Sequence, residues 1–317
     1  MWKKELAQMI TDPDELAAIL GVALFPKVSE TILKNLPLRV PHSLVQRMQK
    51  GEGNDPLLKQ VLPLPEEELA ADGFVSDPLA EKKYTVVPGV LHKYYGRVLL
   101  LVTEQCALNC RFCFRRGSQR AKIDWQAALK YIAADPTISE VILSGGDPLM
   151  LDDDELTGYL EKIAVLKHVC YLRIHTRLPI IIPQRVTAEL ARRLTSTRLL
   201  PIIVVHCNHA QEINNEVHAA LLTLKNAGIT LLNQTVLLRG INDQAEILIK
   251  LSQALFKAGV LPYYLHLLDK VVGVQHFYVT SAQAKKIYDE IVKKLPGYLV
   301  PRLVVEVVNT AAKQRVV

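Results

Sequence analysis

No apolar run in this chain of 317 residues approaches the ~18–20 residues that a membrane-spanning helix needs. The longest runs, such as Pro201 to Val205, stop far short. A secretory signal is missing too. The chain opens Met-Trp-Lys-Lys-Glu and continues into an acid-containing amphipathic stretch, so a cytoplasmic location is expected. There is no run of five or more basic residues and no named nucleic-acid motif, so neither nucleic acid nor membrane is an expected partner. Internal repeats and low-complexity tracts are absent as well. The five cysteines are an odd number, and three of them lie within eight residues. That argues against a disulfide framework and for metal binding or redox chemistry in a reducing compartment.

What is present points to a large folded body. Half of the residues are apolar and 22% are charged, enough to build a sizeable core and to exclude wholesale disorder. At roughly 150 residues per domain, the length suits two domains or one barrel-like domain with an extension. The net charge of +6 is unevenly placed: residues 1–90 carry −3 and the remainder +9. A basic body fits bound anionic cofactors.

Residues 1–90 hold nine of the 17 prolines. They contain helix starts such as Thr11-Asp12-Pro13-Asp14-Glu15-Leu16, and a long connection marked by Glu66-Glu67-Glu68. We read them as a helical extension and linker wrapped on the body. From residue 91 to 295, six β-branched runs alternate with helical segments. The runs are Val98 to Val102, Glu140 to Leu143, Tyr171 to His175, Ile202 to His206, Thr230 to Leu237 and Tyr263 to Leu267. Gly228 and Gly259 stand where helix-terminating glycines belong. Such alternation predicts an α/β fold with a parallel sheet, a partial (β/α)6 barrel. Polar residues gather at the C-terminal end of every strand, where barrels place their sites. Residues 296–317 form a C-terminal segment.

Cys106-x3-Cys110-x2-Cys113 follows the first strand directly. Three thiolates on one loop can hold three irons of a cubane and leave the fourth open. The competing reading is zinc on three cysteines and a histidine, although no second ligand pair of the usual zinc spacing is present. Cys170 and Cys207 lie in apolar contexts and read as core cysteines.

This loop, followed by six strand–helix units, resembles the radical S-adenosylmethionine (SAM) superfamily. The resemblance implies a [4Fe-4S] cluster on Cys106, Cys110 and Cys113, with SAM chelating the open iron and cleaved reductively to a 5′-deoxyadenosyl radical. It sets Phe112 near the adenine and Gly145-Gly146-Asp147-Pro148 near the methionine amino group. Physically, glycines let a backbone approach a ligand closely.

From Leu91 to Lys313 the similarity narrows to the lysine 2,3-aminomutase family. It includes His92-Lys93-Tyr94-Tyr95-Gly96-Arg97, Cys110-Arg111-Phe112-Cys113-Phe114-Arg115-Arg116, Arg173-Ile174-His175-Thr176-Arg177, His206-Cys207-Asn208-His209 and Asn233 to Leu238. The length, the opening at Thr11 and the stretch Leu265 to Val271 resemble its short branch, which makes (R)-β-lysine for elongation factor P. The resemblance implies pyridoxal 5′-phosphate (PLP) on Lys313, seven residues after Glu306 as in the family's acid–lysine spacing. In place of the family's glycine-rich stretch this chain has Val307 to Ala312. Lys93, Tyr94 and Arg97 match contacts to the PLP phosphate and ring. Arg115 matches the arginine for the substrate carboxylate, and His206 and Gln234 match SAM contacts. Asp269 and Glu306 match two acids for the substrate ε-ammonium, Glu306 replacing an aspartate. The implied activity is an isomerase that converts L-lysine to (R)-β-lysine by radical 1,2-amino migration. It needs an electron donor and is linked to elongation factor P and its lysyl ligase. Without the resemblance, Lys313 reads as a tail residue, Glu306 as a surface acid, and His206 and Gln234 as satisfied polar groups. A radical SAM enzyme without PLP and a non-catalytic zinc or regulatory protein remain alternatives.

Overall fold

Alternating β-branched and amphipathic segments build one ten-stranded sheet in which the strands lie in sequence order. The structure is a computed structural model that describes residues 2–116 and 122–316. Met1, Val317 and residues 117–121, which belong to the three expected segments, lie outside the described residues. The strands are β1 (Thr85–Val87), β2 (Val90–Tyr94), β3 (Arg97–Thr103), β4 (Glu140–Gly145), β5 (Tyr171–Thr176), β6 (Leu200–His206), β7 (Thr230–Val236), β8 (Leu261–His266), β9 (Arg302–Val305) and β10 (Gln314–Arg315). Neighbours from β3 to β9 are parallel, while β1, β2 and β10 pair antiparallel at the edges.

The six expected strands are β3 to β8. Each is followed by a helix: Trp125–Ala134, Asp153–Ala164, Ala188–Leu194, Asn215–Asn226, Ala245–Lys257 and Ser281–Lys294. The sixth helix and the short β9 after Pro301 were not expected from the sequence. Several of these helices start where a side chain accepts a free backbone N–H. Asp124 takes that of Ala127, Asn214 that of Val217 and Thr187 that of Leu190.

The strand period of two decides what faces the site. In β3, Val98, Leu100 and Val102 are buried. In β5, Leu172 and Ile174 point into the core while Arg173 and His175 line the inner cavity. The same alternation brings Ile202, Val204 and His206 of β6 to the cavity, with Leu232, Gln234 and Val236 of β7.

The N-terminal extension shares this core rather than lying over it. Leu16, Leu20, Leu44, Leu57 and Leu58 belong to the same buried cluster as the barrel strands. Arg47 donates to the carbonyls of Ile180 at 2.6 Å and Ile181 at 3.0 Å. Glu67, central in the acidic run, is buried rather than solvated. Its carboxylate accepts from Arg111 Nε at 2.8 Å and also pairs with the Arg111 and Arg116 forks. Burial would raise its pKa, but the two arginines outweigh that and hold it below the usual carboxylate value. The extension thereby clamps the cysteine loop from behind. No helix among the described residues is long and apolar enough to cross a membrane.

Candidate active site

The C-terminal ends of β3 to β9 open into one cavity of about 780 Å³. Every candidate residue lines it: Cys106, Cys110, Cys113, Phe112, Arg115, Gly145, Gly146, Asp147, His206, Gln234, Asp269, Lys93, Tyr94, Arg97, Glu306 and Lys313. Residues separated by more than 200 positions meet there because the sheet curls until β2 and β9 face each other across it.

At one end lies the cysteine loop. Cys113 N donates to Cys110 O at 3.1 Å, which turns the chain tightly between two of the thiols. Cys110 Sγ receives Arg177 Nη1 at 2.8 Å. Burial pushes the Cys110 thiol up, against the pull of Arg177. Among the described residues, no three Cys, His, Asp or Glu side chains converge as a single metal ion requires. A cubane makes no such demand, because it takes one thiolate at each of three separate corners.

The glycines line the cavity and also press on a neighbouring strand end. A Cβ on Gly145 would stand 2.4 Å from Thr103 O, and one on Gly146 would stand 2.2 Å from Gln105 O. Gly146 N donates to Thr103 O at 2.6 Å, and Asp147 N donates to Gln105 O at 2.7 Å. The close approach they permit is therefore to the backbone leading into Cys106. Asp147 is likewise a lock. Its carboxylate accepts from Thr176 Oγ1 at 2.6 Å, Arg177 N at 2.7 Å, and Leu149 N and Leu178 N at 3.0 Å each.

Phe112 is 4% exposed and packs with Leu238, Ile241, Leu268 and Phe277. His206 meets its ring edge-to-face at 5.5 Å. His206 Nε2 and His175 Nε2 are buried without a hydrogen-bond partner among the described residues. Burial, reinforced by nearby Arg177, pushes His206 down to about 3, so this imidazole is neutral. Unpartnered buried nitrogens on a cavity wall mark places where a ligand completes the bonding. With the three thiols on the same cavity, they fit SAM and a cluster. The sequence reading set His175 and Arg177 among the strand-end residues lining the site but gave neither a role.

On the same cavity, Glu306 gathers three groups. Lys93 Nζ lies 2.5 Å from Oε1, Tyr94 donates to the same oxygen, and Lys313 pairs with Oε2. Burial would raise Glu306, but Lys313, Lys93 and Tyr94 outweigh it and hold it at about 2. Glu306 and Lys313 are thus neither a surface acid nor a loose tail. Hairpin pairing of Gln314 with Val305 and Arg315 with Val304 returns the chain and fixes Lys313 opposite Glu306. The turn uses Asn309 at φ 66°, a left-handed position that asparagine tolerates better than most residues, and so manages without the family's glycines.

Asp269 lines the cavity as well, and no hydrogen bond from a described residue reaches its carboxylate. Burial, opposed by Lys313, raises it to about 7. Arg97 stacks on Tyr94 at 4.8 Å and Arg302 on Tyr263 at 6.0 Å, which leaves cationic edges for an anion. With Lys93 and Lys313 these residues fit the phosphate and carbonyl of PLP.

Arg115 is occupied. Its Nε and Nη2 hold Glu81, at 2.9 and 2.6 Å to Oε1, and Nη1 donates to Ser144 Oγ and Gly145 O at 3.1 Å each. Glu81 belongs to the short helix Glu81–Tyr84. That helix is tied to the C-terminal hairpin by Asn309 N donating to Tyr84 Oη at 2.8 Å. Nothing in the spacing of the sequence announces this pair. Cys170, read as a core residue, is exposed just before β5, whereas Cys207 is buried.

Residues 100–251 match the radical SAM superfamily. The L-lysine 2,3-aminomutase of Escherichia coli (strain K12) is 47% identical over 98% of this chain and 93% of its own length. That of Buchnera aphidicola is 48% identical over 96% of this chain and 92% of its own. The chain belongs to the L-lysine 2,3-aminomutase family. The L-lysine 2,3-aminomutase of Clostridium subterminale is 35% identical over 86% of this chain and 67% of its own length. Membership in the aminomutase family makes it an enzyme and implies a [4Fe-4S] cluster and SAM. The reading as a non-catalytic zinc protein falls with it.

Proposed function

We propose that this enzyme converts L-lysine to (R)-β-lysine, with the cluster on Cys106, Cys110 and Cys113 and with PLP on Lys313. The observation that carries the reading is the single cavity lined by the three thiols, the Lys313 amine, the Asp269 and Glu306 carboxylates, and Arg97 and Arg302. When bound, the cofactors supply one-electron chemistry at SAM and a conjugated system that eases nitrogen migration. The chain supplies aim. Lys93, Tyr94, Arg97 and Arg302 receive the phosphate. His206, Gln234 and the ring of Phe112 flank SAM.

Lysine is measured by charge at both ends. Arg115 would take its carboxylate in place of Glu81, and Asp269 and Glu306 would take its ε-ammonium. The product feeds elongation factor P through its lysyl ligase in the cytoplasm, and an electron donor reduces the cluster. This use of the product is supported by the resemblance of the stretch Leu265 to Val271 to the short branch.

The test is anaerobic incubation with SAM, dithionite and L-lysine, with and without PLP, followed by chiral chromatography. (R)-β-lysine that depends on PLP is expected, and borohydride should fix a pyridoxyl group on Lys313. Glu81→Gln should lower KM for lysine. Turnover independent of PLP, or a label on another lysine, would contradict the reading.

A further inference from the structure

Arg177 stands one residue beyond β5 and is 8% exposed. Its backbone N is fixed by Asp147 Oδ2 at 2.7 Å. Nη2 donates to Gln60 Oε1 at 2.6 Å and to Glu212 Oε2 at 3.0 Å. Those partners are fixed in turn. Glu212 Oε1 accepts from Asn208 N at 2.8 Å and His209 N at 3.0 Å, and Asn208 Nδ2 donates to Gln60 Oε1 at 3.0 Å. Two distant segments therefore converge on one guanidinium. What remains is aimed at the cysteine loop: Nη1 stands 2.8 Å from Cys110 Sγ, and the cation lies 5.4 Å from the Phe112 ring centroid.

We infer that Arg177 is a positioning residue that sets the reduction potential of the cluster, with Gln60 and Glu212 holding its fork on the Cys110 sulfur. This rests on the reading of Cys110 as a cluster ligand. Reduction adds an electron to an already anionic cluster. A donor on a ligand sulfur and a buried cation beside it both favour the reduced state. Glu212, buried behind the same cation, opposes it. A residue that merely seats the loop would leave the potential unmoved.

The test uses reconstituted holoenzyme, with iron counted and the midpoint read by redox titration of the reduced cluster's electron paramagnetic resonance signal. Arg177→Gln should make the midpoint more negative by at least a tenfold change in the reduction equilibrium, about 59 mV for one electron. Arg177→Lys, which keeps charge but not the fork, should fall between. Glu212→Gln should shift the midpoint the opposite way. If Arg177→Gln fails to load four irons, Arg177→Lys and Glu212→Gln decide by their opposite signs. Unchanged midpoints in fully loaded variants, or shifts of one sign, would overturn the inference. A wild-type protein that forms no such cluster would instead overturn the cluster reading itself.

Discussion

Asp269 holds a proton that most aspartates have lost, and the reason is local. It is buried, and its nearest anion, Glu306, already claims both lysines. The folded chain keeps this proton up to about pH 7, whereas the unfolded chain releases it near pH ~4. Stability of the cofactor-free protein should therefore fall as pH rises through that window, because the folded state binds the extra proton. A lysine ε-ammonium, charged until pH ~10, needs the ionised carboxylate. Lysine binding should strengthen as pH rises from about 6 to 8, seen as a falling KM. Asp269→Asn should abolish that slope and weaken binding tenfold to over a hundredfold, from a charge-assisted contact of ~1.5–3 kcal/mol. A pH-independent KM in the wild type would show that Asp269 does not meet the ammonium.

At the scale of elements, the cysteine loop is held by what surrounds it. In front, Gly145 and Gly146 let the end of β4 press on the backbone before Cys106. Behind, Glu67 pairs with Arg111 and Arg116 on either side of Cys113. Glu67→Ala leaves buried Arg111 uncompensated and should cost ~3–5 kcal/mol. Urea denaturation should show the loss, and iron retention should drop although no ligand is touched. Full stability with full iron would mean that the extension does not seat the loop. This clamp was invisible in the sequence. Glu66-Glu67-Glu68 looks like a solvated linker, and only the fold decides that its middle member turns inward. Strands β3 to β8 were legible, because β-branched runs closed by polar residues repeat with helical spacers. β9 was not, since four residues after a proline give too short a pattern.

Across the whole molecule, the site was readable where chemistry is concentrated in a motif and unreadable where it depends on distant segments meeting. Three cysteines in eight residues announce themselves. The Glu81–Arg115 pair and the Gln60–Glu212–Arg177 relay join positions 34 to 152 residues apart, and no local spacing reveals them. The backbone contact of Gly145 and Gly146 was hidden for the same reason, since it is made with another strand end. The account's central claim is that the thiol end and the lysine end of one cavity act on the same molecule. Lysine carrying deuterium at its β-carbon tests this, because hydrogen can pass between that carbon and the 5′ position of SAM only if both lie in the cavity together. With limiting turnover, mass spectrometry should find deuterium at the 5′ position of recovered SAM and in the β-lysine formed. SAM that is cleaved or recovered without deuterium while lysine is unchanged would contradict the account.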